Sequence, residues 1–69
     1  MRIVEINKEP VELFKVLKFE GMASSGAEAK IAISKGLVLV NGKVETRKRK
    51  KLLSGDIIEF NNEKIKLSL

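Results

Sequence analysis

Ser25-Gly26-Ala27-Glu28-Ala29-Lys30-Ile31-Ala32-Ile33-Ser34-Lys35-Gly36-Leu37-Val38-Leu39-Val40-Asn41-Gly42 is the stretch whose reading decides the fold. Its first four residues form a capping box. The Ser25 hydroxyl accepts from the backbone N–H of Glu28, and the Glu28 carboxylate reaches back to the N–H of Ser25. The helix that follows spans 27–35, and Gly36 takes the left-handed position after its end. Ala29, Ala32 and Ile33 form its buried face, while Lys30 and Ser34, four apart, share an outer face. Residues 37–40 then read as a strand. Asn41-Gly42 is the strongest short signal for a tight two-residue turn, with 43–46 returning.

Outward from this stretch, residues 2–6 (Arg-Ile-Val-Glu-Ile) are short and β-branched and read as a strand. Pro10 suits the first turn of a helix over 10–19, where its missing N–H costs nothing. Val11, Phe14 and Leu17 make one stripe of that helix, flanked by Leu13, and Gly21 stops it. Toward the C-terminus, 57–60 is a strand, Asn61-Asn62 a turn, and 63–67 a returning strand. Ile65 and Leu67 alternate there with Lys64 and Lys66. The expected fold is α+β: two helices packed on one face of a small, mostly antiparallel sheet, with 1–69 a single domain. Strand 2–6 is expected to pair with the C-terminal hairpin.

The charge is concentrated. The nine residues 43–51 hold six bases (Lys43, Arg47, Lys48, Arg49, Lys50, Lys51) against one acid, Glu45, and the remaining sixty residues balance eight bases with eight acids. A local positive field attracts polyanions, of which nucleic acid is the commonest in a cell. A basic run is also often only a solvated loop. The run leaves a hairpin strand, so one end is anchored and less ordering entropy is lost on docking than for a free tail. If strand alternation continues past Thr46, Arg47 and Arg49 face one side, and Lys48 and Lys50 the other. Arginine forks bind phosphate bidentately, which ranks Arg47 and Arg49 first, with Lys48 and Lys50 supporting. Lys51, beside Leu52-Leu53, reads equally well as a boundary residue covering the core.

The composition argues against catalysis. With no histidine and no cysteine, the usual general base, the commonest metal ligand, thiolate metal sites and disulfides are all missing. No carboxylates sit at metal-ligand spacing, and neither a metal nor a cofactor is expected. A Ser34–Lys30 pair needs a buried lysine, which a helix surface does not supply. Residues 21–26 resemble a phosphate loop only superficially, since Ala27-Glu28 stand where its lysine and hydroxyl belong. The helix start at Ser25 and Gly26 is a second place where an anion fits, with Lys30 one turn inside, unless Ser25 and Glu28 already satisfy those donors. The N-terminus is no secretory signal and no apolar run approaches the ~20 residues that span a bilayer, so a cytoplasmic protein is expected. Phe14 and Phe60 occupy core positions, and Phe19 ends the first helix. No exposed aromatic platform is evident, which favours recognition of the shape and phosphates of folded RNA over base stacking.

Residues 11–60 resemble the RNA-binding domain named after ribosomal small-subunit protein S-four, also called the αL motif. The pattern is Leu13…Leu17…Glu20-Gly21, Ser25…Glu28-Ala29-Lys30…Ile33…Gly36…Val38…Val40-Asn41-Gly42, and Gly55-Asp56…Ile58. Within that family the chain looks most like the small free-standing YbcJ-like members, in which Ser25-Gly26-Ala27 and Glu45-Thr46-Arg47-Lys48-Arg49 have counterparts. The resemblance implies binding to structured RNA, ribosomal or transfer RNA, through the two-helix edge and the following hairpin. Residue by residue it points to Ser25, Lys30, Lys43, Arg47, Lys48 and Arg49. In the wider family an arginine commonly follows the serine. Here Gly26 stands in its place, which shifts weight onto 47–50.

These readings lead to a non-enzymatic module that binds structured RNA, with the ribosome or a ribonucleoprotein as its setting, through helix two and the basic segment. The site residues are Ser25, Gly26, Lys30, Lys43, Arg47, Lys48, Arg49 and Lys50, with no membrane and no small-molecule substrate. The alternative is a protein-interaction module that docks an acidic partner on a ribonucleoprotein. Attraction to an anionic membrane lacks the accompanying exposed apolar face.

Overall fold

Alternation in the last strand sets the sheet. In β7 (Glu63–Ser68) Ile65 and Leu67 are buried, while Lys64 and Lys66 face solvent. The computed structural model describes residues 1–69. Along the chain run β1 (Arg2–Glu5), β2 (Val11–Glu12), α1 (Leu13–Phe19), α2 (Gly26–Ser34), β3 (Leu39–Val40), β4 (Lys43–Val44), β5 (Lys51–Leu52), β6 (Ile57–Phe60) and β7. Five strands form one sheet in the order β1-β7-β6-β3-β4, and β2 pairs with β5 separately. Only β1–β7 is parallel, with Val4 opposite Leu67, so the α+β expectation and the pairing of the first strand with the C-terminal hairpin are both borne out.

Two turns carry left-handed backbone, and their residue types explain why. Asn41 and Gly42 have φ of 53° and 83°, which closes β3 onto β4 with Val40 opposite Lys43. Asn61 and Asn62 do the same between β6 and β7, with φ of 54° and 65°. Asn41 also knits the turn to the next strand. Its amide nitrogen donates to Asp56 Oδ1 at 3.0 Å, and its side-chain oxygen accepts from Ile57 N–H at 2.9 Å.

Sixteen buried residues form one core cluster. Leu13, Phe14, Val16 and Leu17 come from α1, Ala29, Ala32 and Ile33 from α2, and Val38, Ile58, Ile65 and Leu67 from the sheet region. The three small or branched residues expected on the inner face of α2 are the ones buried. No polar or charged side chain is buried.

Four local readings are corrected. The first helix starts at Leu13, not Pro10, because Val11–Glu12 is drawn into an antiparallel ladder with Leu52 and Lys51. Pro10 precedes that ladder, after a cis peptide bond. The capping box is half made: Ser25 Oγ accepts from Glu28 N–H at 3.1 Å, but the Glu28 carboxylate turns to the Ser24 hydroxyl. The β3–β4 ladder is only two residues per strand, with one further in-register bond beyond it, from Glu45 N–H to Val38 C=O at 3.0 Å. Alternation also ends there. Lys50 N–H donates to Arg47 C=O at 3.1 Å, so 47–50 is a turn.

Candidate functional site

The turn 47–50 is held by the start of α1. A helix leaves its first N–H groups without internal partners. Here Leu13 N–H donates to Lys50 C=O at 3.0 Å and Phe14 N–H to Lys48 C=O at 3.1 Å. The carbonyls of the basic segment therefore point inward, and the side chains of Lys48 and Arg49 stand in solvent.

Phe14 is the centre of the arrangement. The Lys30 ammonium lies 4.5 Å from its ring centroid, the Arg49 guanidinium carbon 5.3 Å and the Lys15 ammonium 5.9 Å. These cations come from α2, the turn and α1, and the ring's negative face favours each of them. Glu12 sits among them. Lys15 Nζ is 3.3 Å from Glu12, and Arg49 Nη1 is 3.5 Å from both of its oxygens. Desolvation raises the Glu12 pKa, but the hydrogen bond and charge of Lys15, then Arg49, outweigh it and the net shift is downward.

Gly26 opens α2 against the same ring. A Cβ there would stand 3.7 Å from Lys18 Cδ and 3.8 Å from the edge of Phe14, in ordinary contact. Ser25 caps α2, so its hydroxyl oxygen already accepts one helix N–H. Ser34 donates to Ile31 C=O at 3.0 Å while Lys30 stands over Phe14, so the two make no nucleophile–base pair.

A second group lies beside the first. Lys43, Arg47 and Lys50 line a shallow depression with Glu45. Arg47 grips that carboxylate through Nε at 2.9 Å and Nη2 at 3.1 Å, and its backbone N–H adds a third bond at 3.0 Å. The side-chain and backbone bonds from Arg47 hold the Glu45 carboxyl down at about 2. The same pairing pushes the Arg47 pKa up. The Nε–Nη2 edge of Arg47, one of the two arginines ranked first, is thus already matched to a carboxylate.

The expected residues therefore fall into two adjoining sets: Ser25, Gly26, Lys30 and Arg49 near Phe14, and Lys43, Arg47 and Lys50 around Glu45, with Lys48 exposed at the tip of the turn. Lys15 and Lys18 on α1 were not singled out. Their signal was present, since Lys18 follows Phe14 by four positions and shares its helix face. Phe19 departs further from expectation. Its side chain is 71% exposed, with the Lys18 ammonium 5.4 Å from the ring centroid, so an exposed aromatic does exist. No group of three or more His, Cys, Asp or Glu residues is placed to hold a metal ion. No helix is long and apolar enough to cross a membrane.

The chain as a whole has known relatives. The family model described as S4 domain matches residues 4–68. YbcJ of Escherichia coli (strain K12) and YbcJ of Shigella flexneri are each 46% identical over 68 residues, spanning 97% of this chain and 97% of theirs. The solution structure of Escherichia coli YbcJ, described as revealing an αL motif involved in RNA-binding, superposes with a TM-score of 0.75. That match has 43% identity and covers 100% of this chain and 89% of that one.

Proposed function

This chain belongs to the S4 domain family, and on that premise we propose that it binds structured RNA, of the ribosomal or transfer RNA class, without catalysing a reaction. The observation that carries the reading is the convergence of Lys15, Lys30 and Arg49, from three separate elements, on the one ring of Phe14. Cations fixed at one place on a folded surface match a phosphate array better than cations on a mobile tail. The solved YbcJ structure, whose αL motif is described as involved in RNA-binding, supports the same reading. The binding face comprises Ser25, Gly26 and Lys30 at the start of α2, Lys43 on the hairpin, and Arg47, Lys48, Arg49 and Lys50 in the turn. Residues 1–69 act as one RNA-binding domain, and the cytoplasm is where such RNA is met. The absence of catalysis rests on chemistry: no histidine, no cysteine and no buried polar side chain that desolvation could activate.

The test is a titration of the protein with a structured RNA hairpin across a salt series. Neutralising about five phosphates gives a slope of roughly −4 in log affinity against log salt. Changing Lys48 and Arg49 together to alanine should weaken binding and flatten that slope by about two, with unfolding unchanged. An unchanged affinity in the double variant removes this face. Capture of an acidic protein that survives nuclease treatment, with no RNA binding, would replace the reading.

A further inference from the structure

A cleft of about 660 Å³ runs along α1, between that helix and β1, with Phe19 at one end and Lys51 of β5 at the other. Val4, Ile6 and Val16 give it an apolar floor, while Glu5, Glu12 and Glu20 line it as well. These three carboxylates are balanced by Lys8, Lys15 and Lys51, so the cleft offers a phosphate no net positive charge. They do not repel a neutral aromatic ring, and a carboxylate suits the amino and imino N–H groups at the edge of a nucleobase. The cleft is continuous with the basic face. Lys15 lines it and also stands 5.9 Å from the Phe14 centroid, and Glu12 lines it while bonding Arg49.

We propose that this cleft receives one unstacked nucleobase of the bound RNA, with Phe19 as the platform on which the base stacks. The inference rests on the RNA-binding reading and adds a ligand site to it. An exposed phenyl ring at a helix end costs hydration and buries little in the free protein, and single-stranded bases are commonly held on such rings. The Lys18 ammonium, 5.4 Å from the Phe19 centroid, would meet the phosphate flanking that base. Lys15 and Lys51 at the cleft lie where the strand would continue toward the turn 47–50.

The chain has no tryptophan and no tyrosine, so Phe19→Trp introduces a single indole emitter at an exposed position. Two RNAs are compared: a fully paired duplex and the same duplex with one bulged purine. The bulged RNA is expected to quench the emission of the Phe19→Trp protein, and the paired duplex to leave it unchanged. Phe19→Ala should weaken binding of the bulged RNA roughly tenfold and leave the paired duplex as it was. If both RNAs bind with no quenching and Phe19→Ala binds as tightly as the parent, the stacking site is wrong while RNA binding stands. If neither RNA binds the parent protein, the underlying reading fails and this site with it. Emission that shifts with protein concentration alone would assign the ring to a second copy of this chain and overturn the proposal.

Discussion

The ammonium of Lys30 on α2 sits 4.5 Å from the centroid of Phe14 on α1, so one ring both packs the two helices and fixes a charge on the surface. Phe14 is 8% exposed and belongs to the core, yet its remaining accessible face is shared among cations. Core packing and the placing of the basic face are therefore one problem at this residue.

Phe14→Ala removes a large core side chain and is expected to cost about 3–5 kcal/mol. A chain of this length holds a total stability of about 3–10 kcal/mol, so that variant is expected to be largely unfolded. Phe14→Leu keeps most of the volume and should cost about 1 kcal/mol. It removes the ring that gathers Lys30 and Arg49, so its RNA affinity should fall severalfold while urea unfolding still shows one cooperative transition. Parent-like RNA binding by Phe14→Leu would mean that the ring does not organise the cations.

Ser25 can be separated into cap and contact. Ser25→Ala loses the acceptor for Glu28 N–H and should cost about 1 kcal/mol. Ser25→Asp caps equally well but sets a negative charge beside Gly26 and its neighbour Lys18. Parent-like melting with weakened RNA binding is expected of Ser25→Asp. Parent-like binding would show that the start of α2 lies off the RNA face.

Glu45 competes with RNA for Arg47, because its carboxylate accepts Nε, Nη2 and the backbone N–H of that residue. Glu45→Gln removes one negative charge from the basic segment. Affinity for an RNA hairpin should rise, and the salt slope should steepen by about one. Filter binding at several salt concentrations reads both, and a lower affinity would show that the pair shapes the turn for binding.

The same carboxylate sets an acid limit. Its folded-state pKa is about 2 against an ordinary 4.5, so folding favours the charged form. The resulting stabilisation is complete above the unfolded value and is lost as pH falls from about 4.5 through about 2. Glu12, also shifted down, acts in the same direction. Denaturant midpoints should therefore fall over this window, and Glu45→Gln should flatten the fall. Equal slopes in the two proteins would exclude Glu45 as a contributor.

Asn41 holds a left-handed position and bonds to both Asp56 and Ile57. Asn41→Ala should cost about 2–3 kcal/mol, combining backbone strain with two lost hydrogen bonds. Gly42→Ala meets nothing within 4 Å of its Cβ, so only the φ of 83° resists it, at about 1 kcal/mol. Chemical unfolding of the two variants ranks them. A smaller loss at Asn41 than at Gly42 would show that the Asp56 and Ile57 bonds add nothing.

The parts legible in the chain were those set by neighbours. Ser25 and Glu28 are three apart, Asn41 and Gly42 are adjacent, and Ile65 and Leu67 alternate with lysines, so each pattern dictates its own backbone. Pro10 shows the limit of that logic. Its local preference suits a helix start, but Val11 and Glu12 gain a ladder with Leu52 and Lys51, a pairing across forty residues that no local pattern records.

The sequence by itself determined two helices, the Ser25 cap of α2, the Asn41-Gly42 and Asn61-Asn62 turns, the inner face of α2 and the concentration of charge in 43–51, because propensity, periodicity and composition act at short range. Tertiary structure alone decided which charges are available and which meet. Arg49 reaches Glu12 thirty-seven positions away, and the N–H groups of α1 bend 47–50 into a turn. Glu45, two positions before Arg47, takes that residue's backbone N–H and guanidinium by a local contact, which leaves Lys48 and Arg49 as the exposed cations of the turn. Phe19 stays in solvent because α1 begins at Leu13 and buries Leu13, Phe14, Val16 and Leu17, leaving its last ring at the mouth of the cleft.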